Sequence, residues 1–271
     1  MYPPSSALIA ALGPASDGLC IRLYDTLDST NTLAKTHAHE EAPALYIART
    51  QTGGRGRLGR SFHSPEGTGL YMTVAYTTHR PLTEAVRVTA AAAVAAVTAI
   101  DGLTDQRPSI KWVNDVYLNR CKIGGILTEA VSRADGSHRM IVGLGINLTT
   151  TVFPEGLRAP ASCLFAEGTA PADPTAFADT LAGEITRRLL ELVNADPTCP
   201  FRGGMWGEAC LAFYRRRLLY VGETVLCTRG SEAFEAVLLG VDDEYALTVS
   251  REEEILTLSS GEISIRPTKK I

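Results

Sequence analysis

The amino-acid sequence predicts an α+β fold: a mixed or antiparallel sheet flanked by helices, followed by a small β-barrel. Three observations predict it. Between residues 109 and 148, β-rich runs follow one another across short turns, which argues against serial βαβ units. Two long segments with helical patterning, 84–100 and 174–195, can cover such a sheet. From about Leu219 the texture changes to five short β-rich runs within ~50 residues, the spacing of a small barrel. The expected division is 1–218 and 219–271.

Residues 1–18 are rich in Pro, Ser, Ala and Gly and read as irregular. Cys20–Tyr24 alternates like a strand. Ser29, Thr30 and Asn31 then precede a short helix start, Leu33–His37, and helix capping alone would explain them as well as a ligand would. Strands are expected over Ala44–Ala48 and Gly69–Tyr76. The alanine-rich centre of 84–100 suits close packing in a core. Asn114-Asp115 forms a turn between two β-rich runs. Lys122–Val131 and Met140–Leu148 pair through the hairpin signal Ala134–Ser137, and the glycines inside these runs mark bulges or close approach. Asp173 caps a helix that begins at Pro174. A further helix, Trp206–Arg217, ends in three arginines that complement its dipole. The barrel strands fall near 224–228, 233–240, 245–250, 254–258 and 262–266.

Composition excludes several classes. The chain has 271 residues and a net charge of −4, with a pI near 5.8, against a general nucleic-acid binder. No apolar run approaches the ~18–20 residues of a membrane span, and the N-terminus lacks the basic region of a signal peptide. Six scattered cysteines without a C-x-x-C pair suit a reducing cytosol and read mostly as buried small hydrophobes. His37 and His39 form a lone pair with no third metal ligand nearby. The expectation is a cytoplasmic protein with neither a nucleic-acid nor a membrane partner.

Against that acidic background stands Gly53-Gly54-Arg55-Gly56-Arg57-Leu58-Gly59-Arg60. Arginine forks fit carboxylate and phosphate, and glycine lets backbone N–H groups approach a ligand. Gly54-x-Gly56-x-x-Gly59 matches a dinucleotide fingerprint, but Pro65, Gly67 and Gly69 point to more loop where that fingerprint needs a helix. A P-loop lacks its Gly-Lys-Ser/Thr. The remaining alternative is a solvated Arg/Gly surface loop or a weak nucleic-acid contact.

The rest of the chain decides. The loop, the Asn114-Asp115 turn, Lys122 before a double glycine, and Gly143-x-Gly145-x-Asn147 together suit adenylation of a carboxylate, where two anions meet and their charge must be screened. These motifs resemble the biotin–protein ligase family (biotin–[acetyl-CoA-carboxylase] ligase, holocarboxylase synthetase). Ser29-Thr30-Asn31, Gln51 with the arginine loop, Lys111-Trp112-x-Asn114-Asp115, Lys122-x-Gly124-Gly125-Ile126-Leu127-x-Glu129 and Gly143-x-Gly145-x-Asn147 occur in the family's order, and Gly261–Ser264 resembles its C-terminal barrel.

The resemblance implies a class II synthetase-like catalytic domain, an SH3-like barrel and two half-reactions. Biotin and Mg·ATP give biotinyl-5′-AMP, whose acyl group passes to a lysine of the biotin carboxyl carrier protein of acetyl-CoA carboxylase. It implies that Ser29, Thr30, Asn31, Gln51, Arg55, Gly56, Arg57 and Lys122 bind biotin. Arg55, Arg57, Arg60, Phe62, Lys111, Asn114, Lys122 and Asn147 would bind ATP, with Phe62 stacking on adenine where relatives often carry tryptophan. Lys122, Arg57 and Asp115 would be catalytic, Asp115 helping to deprotonate the incoming lysine. The metal ligands are left open, and a homodimer is compatible. Val113 stands where the family usually has proline. About 20 residues precede the first strand, too few for a three-helix DNA reader, so the expectation is a ligase without a repressor domain of its own. The rivals are a lipoate–protein ligase and a non-catalytic RNA-binding module.

Overall fold

The computed structural model describes residues 1–157, 159–194, 207–229, 231–252, 254–259 and 263–268. Ala195, Cys199, Trp206, Gly261 and Glu262, which figured in the expectations above, lie outside them. The first sheet contains β1 (Cys20–Leu27), β2 (Ala44–Gln51), β3 (Gly69–Thr78), β4 (Ser109–Lys111), β5 (Asp115–Leu118), β6 (Cys121–Ser132) and β7 (His138–Asn147), in the order β1-β2-β3-β7-β6-β5-β4. Only β1 and β2 run parallel; the other pairs are antiparallel. The short turns read from the sequence account for this. Between β6 and β7, Gly136 takes φ 81° and Asp135 Oδ1 accepts from Ser137 N at 2.9 Å. The parallel pair needs a crossover, which α2 (Thr30–Thr36) supplies.

Strand alternation separates the two faces of this sheet. Leu70, Met72, Val74 and Tyr76 of β3 join Val142, Leu144 and Ile146 of β7 in the large core. Over that face lie α3 (Ala85–Leu103) and α4 (Pro174–Asn194), which pack against each other. The Asp173 cap is present, accepting from Ala176 N at 2.9 Å. The opposite face of β3 and β7 carries Tyr71, Thr73, Ala75, Ile141, Gly143 and Gly145, beneath α2. That face holds the site.

Two expectations are corrected. Residues 1–18 are not irregular: α1 (Ser6–Leu12) buries Leu8 and Leu12 against α4. At their contact a Cβ on Gly183 would stand 2.6 Å from Ala11 Cβ, so glycine permits the approach. A segment this short and Pro-flanked is helical because α4 covers it. The chain also holds a segment, Leu82–Leu103, long and apolar enough to cross a membrane by length and composition. Two thirds of its most apolar window is buried inside the fold, as for a core helix apolar on all sides.

After α5 (Glu208–Arg217) come β8 (Thr224–Arg229), β9 (Glu232–Val241), β10 (Leu247–Arg251), β11 (Glu254–Leu258) and β12 (Ile263–Pro267). They form an antiparallel sheet of order β11-β10-β9-β8-β12, close to the boundaries expected. Three hydrogen bonds tie the helix and this module to the β4–β5 hairpin. Trp112 Nε1 donates to Tyr245 O at 2.8 Å, Tyr214 Oη to Val113 O at 3.3 Å, and Leu219 N to Ile110 O at 2.8 Å. The Trp112–Val113 peptide within that hairpin is cis. The arginines closing α5 are engaged: Arg215 pairs with Asp243 and Arg217 with Asp101. All five described cysteines are free; Cys210 and Cys227 are buried and the other three half-buried.

Candidate functional site

Two rows of side chains on the site face organise a cleft of about 140 Å³. Lys111 pairs with Asp115, Asp115 with Gly125, Gly125 with Gly145, and Gly145 with Tyr71. One step along, Leu127 pairs with Gly143 and Gly143 with Thr73. Lys122 belongs on this face only because β6 carries a bulge. Tyr117 pairs with Lys122 while Val116 pairs with Gly124, so Ile123 is the extra residue. Without it, alternation from Gly125 would send Lys122 to the opposite face. The 160–162 segment grips the strand there: Lys122 N donates to Pro160 O at 2.8 Å, and Ser162 N to Lys122 O at 2.9 Å. Lys122 Nζ then donates to Asp115 Oδ1 at 2.6 Å. It lies over Gly125, where a Cβ would stand 3.3 Å from Nζ.

The arginine loop closes over these rows. No α-helix follows its glycines; Arg57–Gly59 makes one 3₁₀ turn, with Leu58 at φ 58° and Gly59 at φ 70°. The loop folds on itself through Gly56 N to Arg60 O at 2.7 Å and Phe62 N to Gly54 O at 2.8 Å. A Cβ on Gly54 would lie 2.4 Å from Phe62 O, so only glycine allows this approach. Arg57 Nη1 reaches across to Asn114 Oδ1 at 3.1 Å, and Asn114 Nδ2 donates to Ile126 O at 2.9 Å. Asn114 therefore spends its carboxamide holding Arg57 and the backbone. Burial lowers the pKa of Arg57, with Asp115 opposing and Arg60 adding, yet a guanidinium keeps its charge. Phe62 packs edge-on to Tyr71, and a Cβ on Gly145 would stand 2.5 Å from its ring.

The other end of the cleft is neutral. Ser29 is the N-cap residue of α2, but its hydroxyl makes no capping bond, and among the described residues no partner for it is found. With 2 % of the residue exposed, this hydroxyl lining a cleft favours the ligand reading over capping. Gln51 Oε1 accepts from Thr30 N at 2.8 Å and lies 3.2 Å from Thr30 Oγ1, and Gln51 Nε2 donates to Ser64 Oγ at 3.0 Å. Asn31 is buried, with Nδ2 donating to Leu127 O at 3.2 Å and Glu129 Oε2 at 2.9 Å. A Cβ on Gly143 would stand 2.1 Å from Asn31 Oδ1.

A second cavity, of about 740 Å³, shares Arg60, Ser61, Phe62, Lys111, Asp115, Lys122 and Ile265 with the cleft, and Asn147, Tyr117, Tyr220, Pro160 and Arg266 are among its other walls. Every residue expected at the site except Asn147 lines the cleft; Asn147 lines this second cavity, its Nδ2 donating to Ser162 O at 3.0 Å. Among the described residues, Asp115 is the one acidic side chain on either wall, against Arg55, Arg57, Arg60, Lys111, Lys122 and Arg266. Burial lowers the pKa of Lys111, Asp115 opposes, and Lys122, Arg266 and Arg60 add to it; its ammonium lies 5.7 Å from the Tyr117 ring centre. Such an excess of positive charge around one carboxylate calls for an anionic ligand. No cluster of three or more His, Cys, Asp or Glu side chains able to hold a metal occurs among the described residues.

Sequence reasoning missed Thr73, which lies behind the cleft, Ile265, which β12 brings to the cleft wall, and Arg266, which it brings to the second cavity. Thr73 is recoverable from strand alternation with Tyr71. Nothing local foretells that residues 265 and 266 meet residue 111.

The family model described as "Biotin/lipoate A/B protein ligase family" matches residues 23–147. A biotin--[acetyl-CoA-carboxylase] ligase from Paracoccus denitrificans is 32% identical over 230 residues, covering 81% of this chain and 90% of that protein. The bifunctional ligase/repressor BirA of Bacillus subtilis is 30% identical over 246 residues, covering 89% of this chain and 73% of its own length. Among solved structures, a biotin protein ligase from Aquifex aeolicus in complex with biotin and ATP superposes with a TM-score of 0.72 at 26% identity, covering 92% of this chain and 99% of that one. The expected fold class agrees with these likenesses, and the chain belongs to the biotin/lipoate A/B protein ligase family.

Proposed function

We propose that this protein is an ATP-dependent biotin–protein ligase, which joins biotin to AMP and then passes the biotinyl group to a lysine of a carrier protein. The observation that carries it is the Lys122–Asp115 pair at 2.6 Å, standing where a small neutral-ended cleft meets a wide cationic cavity. A ligand with a neutral polar head and a carboxylate tail fits the first; a nucleotide polyphosphate fits the second.

In this reading the ureido head meets Ser29, Thr30 and Gln51, and the tail carboxylate reaches Lys122 and Arg57. Arg55, Arg60 and Lys111 take the phosphates, Asn147 borders the nucleotide, and Phe62 offers a ring to adenine. A carboxylate oxygen of biotin attacks the α-phosphorus and pyrophosphate leaves. Lys122 screens the two anions as they approach and the charge that builds on the phosphorus. The carrier's amine then attacks the acyl carbon, AMP leaves, and the amine gives up a proton. Asp115 is the carboxylate placed to take it. Asn31 and Asn114 act by holding Thr30's surroundings and Arg57.

Mg²⁺ brought with ATP would screen phosphate charge. Asp115, the one carboxylate at the site among the described residues, suits an ion held mainly by phosphates and water, the usual mode for this metal. We propose further that the carrier is the biotin carboxyl carrier protein of acetyl-CoA carboxylase, that the protein works in the cytoplasm, and that light scattering will find a homodimer joined at a sheet edge.

Pyrophosphate–ATP exchange with biotin, lipoate or no acid tests the reading. Exchange that requires biotin is expected. Exchange with lipoate alone would change the substrate, and exchange with neither would overturn the reading.

A further inference from the structure

Behind the neutral end of the cleft lies a second layer of polar side chains. Thr73 is fully buried, and its hydroxyl oxygen is 2.7 Å from Asn31 Oδ1 and 2.8 Å from Thr30 Oγ1. Beyond Asn31, Glu129 accepts from Asn31 Nδ2 with one carboxylate oxygen and from Lys35 Nζ, at 2.5 Å, with the other.

The donors and acceptors in this layer decide which way its groups point. The Leu127 carbonyl and the Glu129 carboxylate only accept, so the Asn31 amide turns its NH₂ to them and its oxygen to Thr73. That buried oxygen needs a donor, and Thr73 has a single proton to give it. Thr73 is also the donor in its 2.8 Å contact with Thr30 Oγ1, so its one proton is shared between Asn31 and Thr30. Thr30 gives its own proton to Gln51 Oε1 at 3.2 Å. Thr30 therefore keeps no proton for the cleft and faces it as an acceptor, in the rotamer that its contact with the Thr73 hydroxyl fixes. Gln51 Nε2, which spends one N–H on Ser64, retains a second as a donor.

We propose that Thr73 is a specificity-determining positioning residue. Anchored through Asn31 to the Glu129–Lys35 pair, it holds the Thr30 hydroxyl as an acceptor, so the cleft selects a head group that presents an N–H, such as a cyclic urea. A head of similar size without N–H, such as a dithiolane, leaves that acceptor unpaired. The inference rests on the biotin reading above and adds what enforces it. Thr73 shares its row with Leu127 and Gly143, not with Asp115 and Gly125, so it acts on binding and not on the chemical step.

The test is pyrophosphate–ATP exchange by the full chain, with biotin titrated, for wild type, Thr73→Val, Thr73→Ser and Glu129→Gln, beside thermal melts. Thr73→Val is expected to raise the KM for biotin about tenfold, with kcat and the KM for ATP unmoved. Thr73→Ser restores the biotin KM, because the hydroxyl carries the effect. Glu129→Gln gives a smaller rise, again for biotin alone. A Thr73→Val biotin KM within about twofold of wild type, or an equal loss in Thr73→Ser, overturns the proposal. Should Thr73→Val melt below the assay temperature, an unchanged biotin KM in Glu129→Gln overturns it instead. Wild type that exchanges with neither biotin nor lipoate sinks the biotin reading and this one with it; wild type that works beside variants that do not shift sinks this one alone.

Discussion

The two ends of the cleft recognise by opposite means. At one end Ser29, Thr30, Asn31, Gln51 and Thr73 are uncharged, and all but Gln51 are buried. Their hydrogen bonds are directional and their rotamers set by neighbours. At the other end Arg60, Lys111 and Lys122 are charged, exposed or half-buried, and form ion pairs only with Asp115 or not at all among the described residues. A neutral head gains little from charge and is read by the direction of each donor, which requires rigid walls. Phosphates and carboxylates are attracted from a distance and through many geometries, so flexible cations suffice and can follow charge as it moves from acid to phosphorus.

The sharpest division comes from Lys122→Ala. Exchange should fall by about 10³ while the melting temperature holds, since only the charged end is touched. Normal turnover in this variant would erase the distinction. Next come two glycines one position apart in register terms. Gly143→Ala drives a Cβ toward Asn31 Oδ1 and should raise the biotin KM by about 10–100-fold, whereas Gly145→Ala pushes on Phe62 and should raise the KM for ATP instead. Equal effects of both on both substrates would mean that the ends are not independent. Arg57→Ala comes third: with the loop no longer tied to Asn114, bound adenylate should escape about tenfold faster, read as its dissociation rate after pyrophosphate is removed.

A pH titration probes the neutral end through Glu129. Burial alone would raise this carboxyl's pKa, but the donors on Lys35 and Asn31 outweigh it and hold the pKa below the ordinary value. A depressed carboxylate stabilises the fold fully above its unfolded pKa of about 4.3 and loses that contribution as pH falls through the lower folded value. The melting-temperature gap between wild type and Glu129→Gln should therefore stay constant from about pH 8 to 5 and shrink below about pH 4. A gap that widens there would reverse the sign. The smallest effect is expected outside both ends. Breaking the exposed Arg120–Glu223 pair with Glu223→Gln should cost under about 1 kcal/mol by chemical denaturation and leave both KM values alone.

Most of the site's chemistry is written locally. The arginine–glycine loop, the Asn114-Asp115 turn and Lys122 before Gly124-Gly125 are short segments whose residue types state what they can hold, because donors, charge and backbone freedom belong to the residues themselves. Strand runs and helices follow from the alternation of apolar side chains, so the α+β class and the five C-terminal strands were legible too. What only the tertiary structure decided is which of these groups face one another. The bulge at Ile123 that turns Lys122 onto the site face depends on pairing with a separate strand. The helix at residues 6–12 depends on α4, far along the chain, and Ile265 reaches the cleft and Arg266 the second cavity only because the second sheet docks on the β4–β5 hairpin. The relay from Lys35 through Glu129 and Asn31 to Thr73 joins three segments distant in sequence. Register and docking are settled by the packing of the whole chain, since each costs entropy that no single segment can repay with its own contacts.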